Sequence, residues 1–236
     1  MKIVNIYHIL AMEFLDILFP KVCIECRSYG GDVCIECVKK IERVKTSTCF
    51  YCGKIEKNGL ICVGCRDNND TNITGIITST IYEEGPTKEM IHYLKYCGYR
   101  DLSEMLGELI VERLKYSIII KGAVVVPVPM HKNREIARGY NQAELLARYV
   151  SKELNSPGGL ALKRTKDNPQ QMKLKRGKRL ENIKGSIECI DLELVKGKCV
   201  LLIDDVATTG ATLSECARVL KDNGAKKVWG AVVARG

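Results

Sequence analysis

The 236-residue chain has no run of 18 or more apolar residues, which excludes an ordinary transmembrane helix. A small-residue cleavage site is also missing after the N-terminal stretch MKIVNIYHILAMEFLDILFP, and His8, Glu13 and Asp16 interrupt its apolar character. A secretion signal is therefore disfavoured. Ile3, Ile6, Tyr7, Leu10, Phe14, Ile17 and Leu18 instead fall at helical spacing, so residues 1–20 read as an amphipathic helix of a cytoplasmic protein. Translation from either Met1 or Met12 fits this reading. With 46% hydrophobic and 28% charged residues, the composition excludes wholesale disorder. The length allows one domain of about 150 residues plus a small satellite.

What the chain has in excess is cysteine, twelve in all, eight of them between residues 23 and 65. They form four C-x-x-C pairs: Cys23/Cys26, Cys34/Cys37, Cys49/Cys52 and Cys62/Cys65. Two intervening residues let both thiols of a tight turn face one cation, and two such turns complete a tetrahedron. Without a secretory signal a disulfide framework is the weaker reading, so residues 21–67 are expected to form a double zinc ribbon. Sequential pairing of the C-x-x-C units closes the shortest loops, with a cross-braced pattern as the alternative. All eight thiolates would be ligands, leaving no open position for zinc catalysis. Eight thiolates and two Zn²⁺ add a net −4, lowering the formal charge of +9 to +5. Cys199 opens an apolar strand and reads as core.

Polar residues 66–72, RDNNDTN, end the module, and residues 73–236 form the larger domain. There, strand-like runs (76–82, 123–128, 198–203, 227–234) alternate with helical patterns (88–97, 102–116, 142–154, 212–223). Such alternation predicts an α/β fold, a parallel sheet covered by helices on both faces, with ligands at the carboxyl ends of its strands. After Ile203 come Asp204 and Asp205, read as ending the strand, then Val206 and Ala207-Thr208-Thr209-Gly210-Ala211-Thr212, leading into a helix. Small residues let the backbone approach a phosphate, and the helix N-terminus favours the anion. The two carboxylates repel a phosphate, so ribose hydroxyls, directly or through Mg²⁺, suit them better. The loop has neither G-x-x-x-x-G-K-[ST] nor the three-glycine dinucleotide fingerprint. Residues 163–184 carry nine Lys or Arg against two acids, which suggests an anionic partner, with a solvated basic loop as the alternative.

Val200–Thr212, VLLIDDVATTGAT, resembles the phosphoribosyl pyrophosphate (PRPP) signature of type I phosphoribosyltransferases. The run PVPMHKNREIARGYNQAELLA, the pattern of Gln171, Leu174, Arg179, Asn182, Ile183 and Gly185, the cysteine module and the run LFPKVCIEC resemble the ComF (ComFC/GntX-like) family. Asn168 and Ile187 depart from its pattern. The resemblance implies a three-layer phosphoribosyltransferase fold in which Ala207, Thr208, Thr209, Gly210, Ala211 and Thr212 bind the 5′-phosphate. Asp204 and Asp205 would serve the ribose as the catalytic acids. It implies a pyrophosphate turn with Val128, Pro129, His131, Lys132, Arg138 and Asn141, and a closing loop with Arg164, Gln171, Arg176 and Arg179. Arg138, Asn141 and Gln142 read as opening a helix. Lys95 also matches a family position, with its role open, and Tyr93, Tyr96 and Tyr99 read equally as core, rim or a base-stacking platform. The implied ligands are structural zinc and PRPP with Mg²⁺. The implied role is in natural competence and the handling of incoming single-stranded DNA, with a competence helicase-type partner. The alternatives are a metabolic transferase with an unidentified acceptor and a non-catalytic DNA-binding protein that senses PRPP.

Overall fold

The apolar runs pair side by side in parallel. In a computed structural model, which describes residues 21–69, 71–83, 85–115, 121–167 and 183–236, four strands form the main sheet: β1 (Gly75–Ile81), β2 (Val124–Pro127), β5 (Cys199–Ala207) and β6 (Lys227–Arg235). Their order is β1-β6-β5-β2, every neighbour parallel. The expected amphipathic helix at 1–20, and Gln171, Arg176 and Arg179, lie outside the described residues.

Alternation along the strands sorts the core into two layers. Leu201 and Ile203 of β5 pack with Met90, Ile91 and Leu94 of α3 (Pro86–Tyr96), Leu106 and Ile110 of α4 (Leu102–Leu114), and Leu146 and Val150 of α6 (Gln142–Glu153). Val200 and Leu202 face the other way, onto Leu213, Cys216 and Leu220 of α8 (Ala211–Asp222). Strand β5 does not stop at Asp204. Pairing with β6 continues through Val206↔Ala234 and Ala207↔Arg235, so both acids lie within the strand.

Two further elements escaped the sequence reading. A short helix α5 (Lys132–Arg138) follows β2, and a two-stranded antiparallel sheet joins β3 (Leu162–Arg164) to β4 (Ile187–Cys189), which leads into the single-turn helix α7 (Leu192–Val195). The basic segment springs from this hairpin, whose base is tied by the Thr165 N–H to the Ser186 carbonyl at 2.8 Å. Arg138 therefore closes α5 rather than opening the next helix: Gly139, at φ 84°, ends α5 in the left-handed region.

The cysteine module lies along the free edge of β1. Arg43 bridges Thr80 and Leu60 bridges Gly75, both antiparallel, which covers an edge that would otherwise present unpaired backbone groups. Its short helices α1 (Ile35–Lys39) and α2 (Val63–Asn68) each follow a zinc-ribbon cysteine. Its residues enter both core layers, Cys23, Ile24, Cys37 and Ile41 on the α3–α4 side and Cys49, Phe50 and Ile61 on the α8 side. The close approach needs small residues. A Cβ on Gly75 would sit 2.3 Å from the Trp229 ring and 2.7 Å from the Gly59 carbonyl oxygen. Gly75→Ala is therefore expected to lower unfolding stability by about 1–3 kcal/mol, read in denaturant titration through Trp229, the single tryptophan. An unchanged midpoint would show that module and sheet yield at this contact.

Candidate functional site

The four sulfurs of Cys23, Cys26, Cys34 and Cys37 converge within 4.8 Å of one another, and so do those of Cys49, Cys52, Cys62 and Cys65. Pairing is thus sequential, not cross-braced. The Cys26–Cys34 and Cys52–Cys62 sulfurs are 3.6 and 3.7 Å apart, near the edge of ~3.8 Å for a tetrahedron with metal–sulfur bonds of about 2.3 Å. Ser28, whose hydroxyl lies 2.9 Å from Cys26 Sγ, together with its backbone N–H pulls that thiol down to about 6. Burial and the three neighbouring thiols push Cys37 up to about 12, and Cys52 foremost does the same to Cys65. Converging thiolates that repel one another fit a central Zn²⁺ at each site.

The acid pair at the end of β5 obeys the strand alternation. Asp205 continues the face of Leu201 and Ile203, toward α3, and is 3% exposed. Its Oδ1 is 2.7 Å from Lys95 Nζ, while Oδ2 is buried without a hydrogen-bond partner. Lys95 is the cation that sequence reasoning left without a role. Asp204 continues the opposite face, and its Oδ1 accepts the Asp205 backbone N–H at 2.8 Å. Burial first, and then the neighbouring Asp205, push its carboxyl up to about 7, against the pull of Lys95 and Arg164. Buried Cys216, on α8, is driven well above the usual thiol range by burial and by Asp204.

Beyond the acids the chain bends through Thr208 and Thr209 into Gly210, at φ 74°, and enters α8. Thr209 Oγ1 accepts the Ala211 N–H at 3.3 Å. The N–H groups that follow in the first turn have no intrahelical acceptor, and this end of the 12-residue helix carries the positive dipole. One wall of the bend belongs to the zinc module. A Cβ at Gly210 would sit 3.2 Å from both Phe50 and the Tyr51 hydroxyl, the two residues between Cys49 and Cys52. Arg235 lies over the Phe50 ring, 5.1 Å from its centroid. The C-x-x-C spacing signals a metal knuckle but not what its two intervening residues touch.

The turn after β2 lies beside this bend, with the Val128 N–H donating to the Ile203 carbonyl at 2.9 Å. Val128 and Pro129 are buried. His131 Nδ1 accepts the Asn133 N–H at 3.2 Å, with Asp167 Oδ2 3.4 Å away. Asp167 also pairs with Arg134 at 3.2 Å, fastening the base of the basic segment to α5. Lys132 and Arg164, with Met130, Glu135, Ile136, Gly139 and Lys163, line a concavity of about 480 Å³. Asn141 and Arg138 stand apart. Asn141 is buried, its Nδ2 donating to Val128 O at 3.1 Å and its Oδ1 accepting the Ala143 N–H at 3.0 Å, so it braces the turn and caps α6. Arg138 donates to Gln142 and lies over the Tyr96 ring. Tyr96, at 67% exposed, is rim rather than core.

Two outcomes follow. Metal analysis of the purified chain is expected to return about two zinc ions, falling to about one in Cys49→Ser; a metal-free chain with oxidised cysteines would contradict the zinc assignment. Asp204 has a folded value above its unfolded one, so its contribution favours the fold below pH 3.8 and is lost as pH rises through about 7. Asp204→Asn keeps the acceptor for the Asp205 N–H and removes the charge. The variant should be as stable as wild type at pH 4 and more stable at pH 8, by at most ~4 kcal/mol. A pH-independent difference in thermal melting would contradict a raised Asp204.

Comparison with known proteins agrees with this geometry. Residues 140–236 match the family model of the Phosphoribosyl transferase domain and residues 14–66 that of the Double zinc ribbon domain. Competence protein ComFC of Bacillus subtilis is 29% identical over 81% of this chain and 79% of its own length. Competence protein F of Haemophilus influenzae is 27% identical, over 88% of this chain and 95% of that one. The DNA utilization protein YhgH of Escherichia coli is 28% identical, over 89% and 94%. Two four-cysteine sites along the edge of a parallel sheet, an acid pair and a small-residue bend at the end of its central strand, and these relatives lead to one conclusion: the chain carries a phosphoribosyl transferase domain with a double zinc ribbon on its N-terminal side, and it is similar to the ComF-type competence proteins.

Proposed function

We propose that the bend at the end of β5 binds PRPP, and that the protein uses this site as a phosphoribosyltransferase-like component of DNA uptake. The observation that carries the reading is the continuous path from the acid pair through Thr208, Thr209 and Gly210 to the N-terminus of α8. Along it, a phosphate would meet backbone N–H groups and a positive helix end, while the ribose would meet carboxylate. The turn from Pro127 to Lys132 would receive the pyrophosphate, with Lys132 and Arg164 as the nearby cations of the concavity. Mg²⁺, carried in with PRPP, would add the positive charge that a pyrophosphate leaving group needs. We place the domain boundaries at 21–67 and 73–236.

In the transfer, an acceptor's lone pair would form the bond to C1 of the ribose as the bond from C1 to pyrophosphate breaks, and the electron pair would leave with pyrophosphate. This chain's residues would act by positioning and by stabilising charge, since an oxocarbenium-like centre and a departing polyanion are the difficulty. Closure of the basic segment over the site would exclude water. The role in DNA uptake is supported by the names of the competence and DNA utilization relatives and by the nine cations of residues 163–184. These would track the phosphates of single-stranded DNA.

Calorimetry with PRPP and Mg²⁺ is expected to show one binding event, weakened at least about tenfold, roughly 1.4 kcal/mol, in Asp204→Asn. Absence of heat in wild type would end the PRPP reading. Single-stranded DNA binding should weaken steeply with salt, and neutralising Lys173, Lys175, Arg176, Lys178 and Arg179 should flatten that slope. A slope unchanged by those substitutions would remove the segment as the DNA contact.

A further inference from the structure

Adjacent acids on a strand are usually read as a matched pair. Here Asp205 points toward α3 and meets Lys95 at 2.7 Å, with 4% and 20% of the two side chains exposed. Asp204 lies on the opposite face, toward α8, where it pushes up the Cys216 thiol, while Lys95 and, from β3, Arg164 pull on it. We propose that Lys95 is a positioning residue that holds and orients the Asp205 carboxyl group, so that the two acids divide their work: Asp205 anchors the strand end and Asp204 is the one that responds to ligand.

Three observations support this division. First, Asp205 is buried, and a buried carboxylate keeps its charge only when a cation or hydrogen bonds compensate it. Lys95 is the only ion-pair partner it has among the described residues, and its Oδ2 is buried without a hydrogen-bond partner. Second, Lys95 is itself held in place. It sits in the last turn of α3, whose Leu94 is fully buried and whose Leu94 carbonyl accepts the Tyr140 hydroxyl. Tyr140 lies at the junction of α5 and α6, under the Arg100 guanidinium, which also donates to Gly139 O at 3.1 Å. The helix that carries the cation is therefore tied to the junction of α5 and α6, while the cation itself meets β5. Third, the charged and titratable groups facing Asp204 are Asp205 on its own strand, Lys95 from α3, Arg164 from β3 and Cys216 from α8. With Asp205 committed to Lys95, Asp204 is the carboxyl left to change state when a ligand arrives.

The second half of the proposal rests on the PRPP reading, whereas the link between Lys95 and Asp205 does not. The test uses the full chain, labelled with carbon-13 at the aspartate carboxyls. Free protein is titrated by NMR, and PRPP with Mg²⁺ is titrated by calorimetry between pH 6 and 9, for wild type, Lys95→Met, Lys95→Arg and Lys95→Met/Asp205→Asn. In Lys95→Met the Asp205 carboxyl should titrate at higher pH than in wild type, and PRPP affinity should fall about tenfold or more. Lys95→Arg should restore most of both. Should Lys95→Met alone fail to fold, the double variant, which leaves no lone buried charge, should fold. A double variant as unstable as the single one would mean that Lys95 serves packing alone and would overturn the proposal. An Asp205 titration that is the same in Lys95→Met and wild type would also overturn it. Affinity within twofold of wild type, with Asp205 altered, would sink the division of labour in binding. No PRPP heat in wild type would instead remove the PRPP reading, and the carboxyl titration would still decide whether Lys95 sets Asp205.

Discussion

Neighbouring side chains on a β-strand point to opposite faces of its sheet, and the arrangement at the end of β5 follows from that constraint. Because β5 keeps its pairing with β6 through Ala207, Asp204 and Asp205 cannot share one environment. One is driven into the α3 layer and needs a cation there. The other is turned to the α8 layer, where burial and its neighbour hold its carboxyl near 7. Two adjacent carboxylates at one strand end would repel each other if both were free and charged. Lys95 lies beside one and the carboxyl of the other is raised to about 7, which reduces the negative charge at this strand end near neutral pH.

The zinc ribbon is part of the same structure rather than an appendage. It covers the free edge of β1, contributes to both core layers, and brings Phe50 and Tyr51 against Gly210. Each half of the module can do this only if its four sulfurs are gathered, which is what a structural metal supplies. The shape of the bend that would receive a phosphate is thereby linked to the second metal site, close in space though far away in sequence.

Much of this was legible in the sequence because it is local. The apolar runs of the main sheet and the periodicity of helices α3, α4, α6 and α8 are clear, and the C-x-x-C pairs and the bend before α8 announce themselves through spacing and small residues. What escaped is non-local or too short. The strands LKR and IEC carry three residues each and are separated by the basic segment, so no period marks them. The strand seemed to end at the acid pair because buried acids argue against a strand interior, until Lys95 is seen beside Asp205. Asn141 looked like a ligand-facing residue, and its amide also braces Val128 and caps the helix through the Ala143 N–H. Sequence cannot distinguish a cap from a contact, since both require the same polar side chain at the start of a helix.

The most direct measurement is a crystal structure of the zinc-loaded chain with PRPP and Mg²⁺. The account predicts the 5′-phosphate within hydrogen-bond distance of the backbone N–H groups at the start of α8, the ribose against Asp204, and the Lys95–Asp205 pair intact. PRPP seated away from the end of β5, or a Lys95 that leaves Asp205 to bind the ligand, would contradict it.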